Sequence, residues 1–137
     1  YLPTKGGEIE VWGDGKQTRS FLFIDECIEA TYRMMQNPDF LGPVNIGSEE
    51  MVTINQLVDI AAKVSKKKVT KNHIDGPLGV RGRNSNNDLV REKLDWDYEQ
   101  PLEDGIRKTY EWINWQILKD MYKAEPNLKE YELTASG

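Results

Sequence analysis

Short apolar runs alternate with amphipathic helical segments along this chain, and that alternation confines it to an α/β architecture. Ile9 and Val11 alternate with acids in Glu8-Ile9-Glu10-Val11-Trp12, which reads as a strand. Arg19-Ser20-Phe21-Leu22-Phe23-Ile24 is apolar enough for a second, more buried one. Gly13-Asp14-Gly15 between them is a turn signal, so the pair is expected to form a hairpin. Asp25 stands where a helix N-cap belongs, Ile28, Thr31, Tyr32 and Met35 follow at helical spacing, and Asn37-Pro38 should end that helix.

Val44-Asn45-Ile46-Gly47 is short and apolar, as a brief strand in a sheet covered on both faces would be. Thr53 and Gln56 have capping-box spacing, and Ile54, Leu57, Val58, Ala61 and Val64 form an apolar stripe behind them. Val69 to Ile74 alternates like an edge strand and ends at Gly76-Pro77-Leu78-Gly79. Ser85 and Asp88 repeat the capping-box spacing before Leu89, Val90 and Leu94. Pro101 suits a first helical turn, and Leu102, Ile106, Tyr110, Ile113 and Ile117 recur on one face of a long helix that also carries Trp112 and Trp115. Residues 1–120 therefore read as one domain, and 121–137, mostly polar and broken by Pro126, as a loose tail.

The 137 residues carry 18 Lys plus Arg against 23 Asp plus Glu, a net charge of -5, which excludes a disordered or strongly basic chain. No apolar run approaches the roughly 18 residues that a membrane span needs. The single Cys27 leaves no intramolecular disulfide and no zinc cluster, so a reducing, cytoplasmic setting is expected. The chain opens on Tyr1, with neither an initiator Met nor an apolar leader, as a piece of a longer protein would.

Catalytic parts are scarce. There is one His, one Cys and no Gly-x-Gly-x-x-Gly loop between a strand and a helix, so the chain by itself is expected to bind no cofactor and no metal and to carry no catalytic residue. His73 reads as a surface or half-buried group without an arranged partner, and Cys27 as a small helix-borne hydrophobe. Tyr1 and Lys5 have a Tyr-x-x-x-Lys spacing, but Pro3 opposes the helix that would align them. Lys63, Lys66, Lys67, Lys68 and Lys71 cluster at a helix C-terminus, where cations complement the dipole; no aromatics interleave with them, so nucleic acid is not the expected partner.

The arginines carry more information. Arg19 opens a strand just past a turn. Arg81 and Arg83 lie in the glycine-spaced loop Gly79-Val80-Arg81-Gly82-Arg83-Asn84-Ser85, which leads into a helix. Guanidinium forks match phosphate oxygens, so these residues suit a phosphorylated ligand; surface ion pairing with the acids is the competing reading.

Val11-Trp12-Gly13-Asp14-Gly15-Lys16-Gln17-Thr18-Arg19-Ser20-Phe21, then Phe23-Ile24-Asp25-Glu26-Cys27, resembles the later region of the NAD-dependent sugar-nucleotide epimerases and dehydratases, the extended short-chain dehydrogenases. Pro43-Val44-Asn45-Ile46-Gly47-Ser48 and Leu94-Asp95-Trp96 are further landmarks of that family. Gly76-Pro77 with the Gly79–Ser85 loop resembles those members that act on a GDP-hexose. The resemblance reaches to about Met121. It implies the C-terminal, substrate-binding part of such an enzyme without its N-terminal Rossmann half, with substrate contacts at Gln17, Thr18, Arg19 and Arg83. Arg19 and Arg83 would grip a diphosphate from two sides. It also implies that the intact parent uses NAD, that the NAD loop and the catalytic Tyr, Lys and Cys lie upstream of the present segment, and that a homodimer is compatible with the family. The alternative is a free-standing, non-catalytic module that binds a sugar nucleotide or a protein.

Overall fold

The computed structural model describes residues 6–77 and 79–124. Five strands and four helices follow in the order β1 (Gly6–Trp12), β2 (Thr18–Ser20), α1 (Ile24–Gln36), β3 (Met51–Thr53), α2 (Ile54–Ser65), β4 (Lys68–Ile74), β5 (Gly82–Arg83), α3 (Asp88–Leu94) and α4 (Leu102–Ala124). The mixed α/β class is as expected. Tyr1, Lys5, Leu78 and residues 125–137 lie outside the described residues, and with them the Tyr-x-x-x-Lys spacing and most of the expected tail.

The expected hairpin does not form. β1 pairs in parallel with β4, from Gly6 opposite Lys68 to Trp12 opposite Ile74. β2 belongs to a second sheet, antiparallel to β3 and parallel to β5. The turn explains the departure: Gly13 N–H extends the β1–β4 ladder by donating to Ile74 O at 2.8 Å. Asn55 at the start of α2 then takes the next residues, its N–H donating to Gly15 O at 3.0 Å and its Nδ2 to Asp14 O at 3.0 Å. Two bonds from one helix terminus steer the chain out of the first sheet before it can fold back on β1. β2 is correspondingly brief, and Phe21 to Phe23 lie outside regular structure.

The third expected strand, Val44 to Gly47, does not form. Val44 and Ile46 turn inward onto a core of Ala30, Val90, Leu94 and Trp96, with Leu22, Met34, Phe40 and Tyr98 around it. Asn45 between them is exposed. The segment alternates as a strand does, but among the described residues no neighbouring strand pairs with its edge, and pairing is what makes a strand.

Helix starts follow side-chain chemistry unevenly. Thr53 and Gln56 form the full capping box of α2: Gln56 N–H donates to Thr53 Oγ1 at 3.1 Å, and Thr53 N–H to Gln56 Oε1 at 2.8 Å. Asp25 is not a cap. It lies in the first turn of α1, behind Phe23, where its charge still complements the dipole. Ser85 is not one either, because the N-cap of α3 lies two residues later, at Asn87. α4 is anchored from outside, Leu102 N–H donating to Glu50 Oε2 at 2.9 Å. It runs to Ala124, and Val58 and Val64 of α2 are buried where α2 packs against α4 and β4.

The stripe anticipated on α1 is present but faces outward. Ile28, Thr31, Tyr32 and Met35 are all exposed, Met35 at 77%, as is Ile24 ahead of them, while Ala30 is the residue of α1 that is buried. Trp112 and Trp115 of α4 are likewise exposed. No helix among the described residues is long and apolar enough to cross a membrane.

Candidate functional site

The parallel β2–β5 ladder sets Arg19 opposite Arg83. Register partners on adjacent strands project from the same face of a sheet, so the two arginines stand side by side; the expected grip from two sides is replaced by a shared face. Close packing makes this ladder. Thr18 N–H donates to Arg81 O at 2.8 Å, and a Cβ at Gly82 would sit 2.8 Å from Thr18 Oγ1, so only glycine lets β5 approach β2 this closely. Arg19 Nη1 donates to Thr18 O at 2.6 Å, and its other arm reaches beneath the loop at Gly79.

Charge pairing distinguishes these arginines from the rest of the chain. Arg33 pairs with Glu29, Arg107 with Glu103, and Arg91 with Glu49, Asp88 and Asp97. Arg19, Arg81 and Arg83 have no carboxylate partner among the described residues. The surface-ion-pair reading therefore does not describe these three, and a protein of net charge -5 concentrates unbalanced positive charge along one short ladder. Arg83 and Arg81 are exposed and Arg19 is half-buried, so an anion can reach all three.

Gln17 and Thr18 differ in what they have left to offer. Thr18 is occupied in joining β2 to the loop before β5. Gln17 Nε2 donates to Trp12 O at 3.1 Å, an orientation fixed by the fact that a carbonyl only accepts. Its Oε1 is thereby left buried and without a donor among the described residues. An unmet acceptor of this kind costs roughly 1–3 kcal/mol until a donor arrives.

Beside the arginines lies a polar cluster that the sequence did not disclose. Asn87 is fully buried. Its Nδ2 donates to Gly47 O at 2.8 Å and to Asp97 Oδ1 at 3.2 Å, its Oδ1 accepts from Ser85 Oγ at 2.7 Å, and its N–H donates to Glu49 Oε1 at 3.0 Å. Arg91 closes the cluster, with Nη2 on Glu49 Oε2 at 2.7 Å and Nε on Asp97 Oδ2 at 2.7 Å. The Arg91 hydrogen bond is the main reason the Glu49 carboxyl lies below its usual range, with the Asn87 N–H next. At Asp97 burial pushes the carboxyl up, but hydrogen bonds from Arg91, Asn87 and the Tyr98 backbone outweigh it and the net shift is downward. The Arg91 guanidinium is in turn driven higher by hydrogen bonds to Glu49 and Asp97. The one hint in the sequence was an Asn just before an apolar helical run; its distant partners come from two segments, Gly47 with Glu49, and Asp97.

Other candidates have ordinary surroundings. His73 Nε2 meets Asn55 Oδ1 at 2.9 Å, which makes that nitrogen the donor. Cys27 is a free, half-buried thiol. Of the lysines, Lys63 pairs with Glu103 and Lys71 with Asp59, Lys67 lies over the Tyr110 ring, and Lys66 is the C-cap of α2. No group of three or more His, Cys, Asp or Glu side chains among the described residues has the placement to hold a metal. The residues present also do not fit a dinucleotide. Among the described residues the junctions from strand to helix are Phe21-Leu22-Phe23 after β2, the direct passage from Thr53 to Ile54, and Asn84 to Asn87 after β5, none of which has a glycine to admit a pyrophosphate.

Residues 3–47 match the model of the NAD dependent epimerase/dehydratase family. The chain is 50% identical to GDP-mannose 3,5-epimerase of Arabidopsis thaliana over 120 residues, which are 88% of this chain and 32% of that protein. It is 50% identical to GDP-mannose 3,5-epimerase 1 of Oryza sativa subsp. indica over 117 residues, 85% of this chain and 31% of that one. It aligns with the C-terminal part of such proteins and spans about a third of their length. Among solved structures it is similar to UDP-glucose 4-epimerase of Thermotoga maritima with UDP-glucose, with a TM-score of 0.75 at 25% identity, covering 80% of this chain and 36% of that one. UDP-glucuronic acid 4-epimerase from Bacillus cereus, in complex with UDP-glucuronic acid and NAD, gives 0.73 at 27% identity over the same 80% and 36%.

Proposed function

As the chain belongs to the NAD-dependent epimerase/dehydratase family, we propose that it is the substrate-binding part of a nucleotide-sugar epimerase of the GDP-mannose 3,5-epimerase kind, and that Arg19 and Arg83 bind the diphosphate of a GDP-hexose. The observation that carries this reading is the β2–β5 ladder: two arginines in register, a third beside them, and no carboxylate among the described residues to neutralise any of them. Adjacent guanidinium forks on one face offer enough parallel donors for two linked phosphates, and a single phosphate would leave one fork idle. Gln17 supports it, because its side chain keeps a buried acceptor without a donor among the described residues. Thr18 contributes by holding the ladder together.

The work assigned to these residues is binding and orientation. Fixing the diphosphate anchors the substrate at one end and so presents the hexose in a set orientation. Hydride exchange with NAD is the chemistry of the family's cofactor, and with no glycine cradle of its own this chain leaves that step to the portion that precedes it in the relatives. The outward stripe of α1 is a surface that portion would cover. On this reading the substrate domain comprises residues 1–120, the protein works in the cytoplasm, and the chain alone does not turn substrate over.

Calorimetric titration of the chain with GDP, GMP and guanosine tests the proposal. GDP should bind more tightly than GMP, and Arg83→Ala should weaken GDP binding by about 1.5–3 kcal/mol, the range for charge-assisted hydrogen bonds. Equal affinity for GDP and GMP, or an Arg83→Ala variant that binds GDP as the wild type does, would remove the ladder from the site.

A further inference from the structure

Arg83 is the last residue of a two-residue strand, and a guanidinium there can be no better placed than the backbone on either side of it. On the N-terminal side the backbone is fixed by the Thr18 bond to Arg81 O. On the C-terminal side the chain passes through Asn84 and enters the buried cluster at once: Ser85 Oγ donates to Asn87 Oδ1, and Asn87 is tied to Gly47, Glu49 and Asp97. We infer that Ser85 and Asn87 are positioning residues for Arg83, locking the loop so that its guanidinium stands beside Arg19 at the diphosphate spacing. The inference rests on the proposed diphosphate site and adds to it the device that sets the site's geometry.

Three features favour this over a merely stabilising cluster. Asn87 is a polar residue that is fully buried within four residues of an exposed arginine that has no carboxylate partner among the described residues, and each of its side-chain polar atoms has a partner. The approach is also tight: a Cβ on Gly47 would lie 2.6 Å from Ser85 Cβ, so the loop is seated against the 44–47 segment with no room to shift toward it. Finally, Asn87's ties run to two distant segments, Gly47 with Glu49 and Asp97, as well as to Ser85 beside it, an arrangement that fixes a position in three dimensions. Bonds to a single neighbour would leave a hinge.

A double-mutant cycle read in ligand selectivity tests the assignment. GDP and GMP are titrated into the wild-type chain, Ser85→Ala, Asn87→Ala, Arg83→Ala, and each of the first two combined with Arg83→Ala, all well below their melting midpoints. Positioning predicts that Ser85→Ala and Asn87→Ala each lower the GDP-over-GMP affinity ratio about fivefold and lower it no further once Arg83 is Ala. Independent, additive losses, or an unchanged ratio in Ser85→Ala and Asn87→Ala beside a wild type that prefers GDP, would overturn it. If Asn87→Ala does not fold, Ser85→Ala decides, since it keeps the Cβ packed on Gly47 and removes only the hydroxyl. A wild type without preference for GDP would refute the diphosphate reading itself, and is told apart by that control alone.

Discussion

Replacing Gly47 with alanine should destabilise the protein through one contact that a second substitution relieves. The added Cβ would meet Ser85 Cβ at 2.6 Å and Ser85 Oγ at 3.0 Å, against the roughly 3.5–4.0 Å at which carbon atoms rest together. Both clashing carbons are attached directly to backbone, so no rotamer change separates them and one segment must move by about 1 Å. Overpacking of this kind costs about 1–3 kcal/mol. The same movement stretches the 2.8 Å bond from Asn87 Nδ2 to Gly47 O, adding about 1 kcal/mol. Urea unfolding should therefore show Gly47→Ala less stable by about 2–4 kcal/mol. Ser85→Gly removes the obstructing carbon at its own cost of about 1–2 kcal/mol, from the lost hydroxyl bond and the freer unfolded chain. Combined, the two should be less damaging than their sum by at least about 1 kcal/mol, the signature of residues in contact. Strict additivity, or a Gly47→Ala variant as stable as the wild type, would refute the steric account.

Two further outcomes are expected. Glu49 and Asp97 sit below their ordinary values of 4.5 and 3.8, so they bind protons more weakly folded than unfolded; the stability they supply is complete above those values and is lost as the pH falls from them through the lower folded values. Thermal melts between pH 7 and pH 3 should show this loss at the acid end, and Asp97→Asn should flatten it; a slope unchanged by that substitution would exclude Asp97 as a source. Ile28→Asp with Met35→Lys on the outward face of α1 should reduce self-association of the chain in light scattering while leaving its helical circular dichroism intact, whereas a loss of helix would mean that the stripe faces inward.

The sequence by itself determined what depends on neighbours along the chain. The α/β class, the spans of α1, α2 and α4, the capping box at Thr53 and Gln56, and the family landmarks around Arg19 and Arg83 all rest on spacing, cap chemistry and side-chain type, which act over a few residues. Tertiary structure decided the pairings. Gly13-Asp14-Gly15 carries a sound hairpin signal, yet Asn55, forty residues away in the chain, diverts it and leaves β1 to β4. Val44 to Gly47 alternates as a strand should and has no neighbour to pair with among the described residues. The apolar spacing of α1 is real, but a periodic pattern does not say whether the covering surface belongs to the same segment. The site divides in the same way. A guanidinium is legible as a phosphate ligand from its chemistry, whereas the face that Arg19 shares with Arg83, the lack of carboxylate partners among the described residues and the burial of Asn87 exist only once distant segments meet, because strand register and desolvation are properties of contacts and no residue carries them alone.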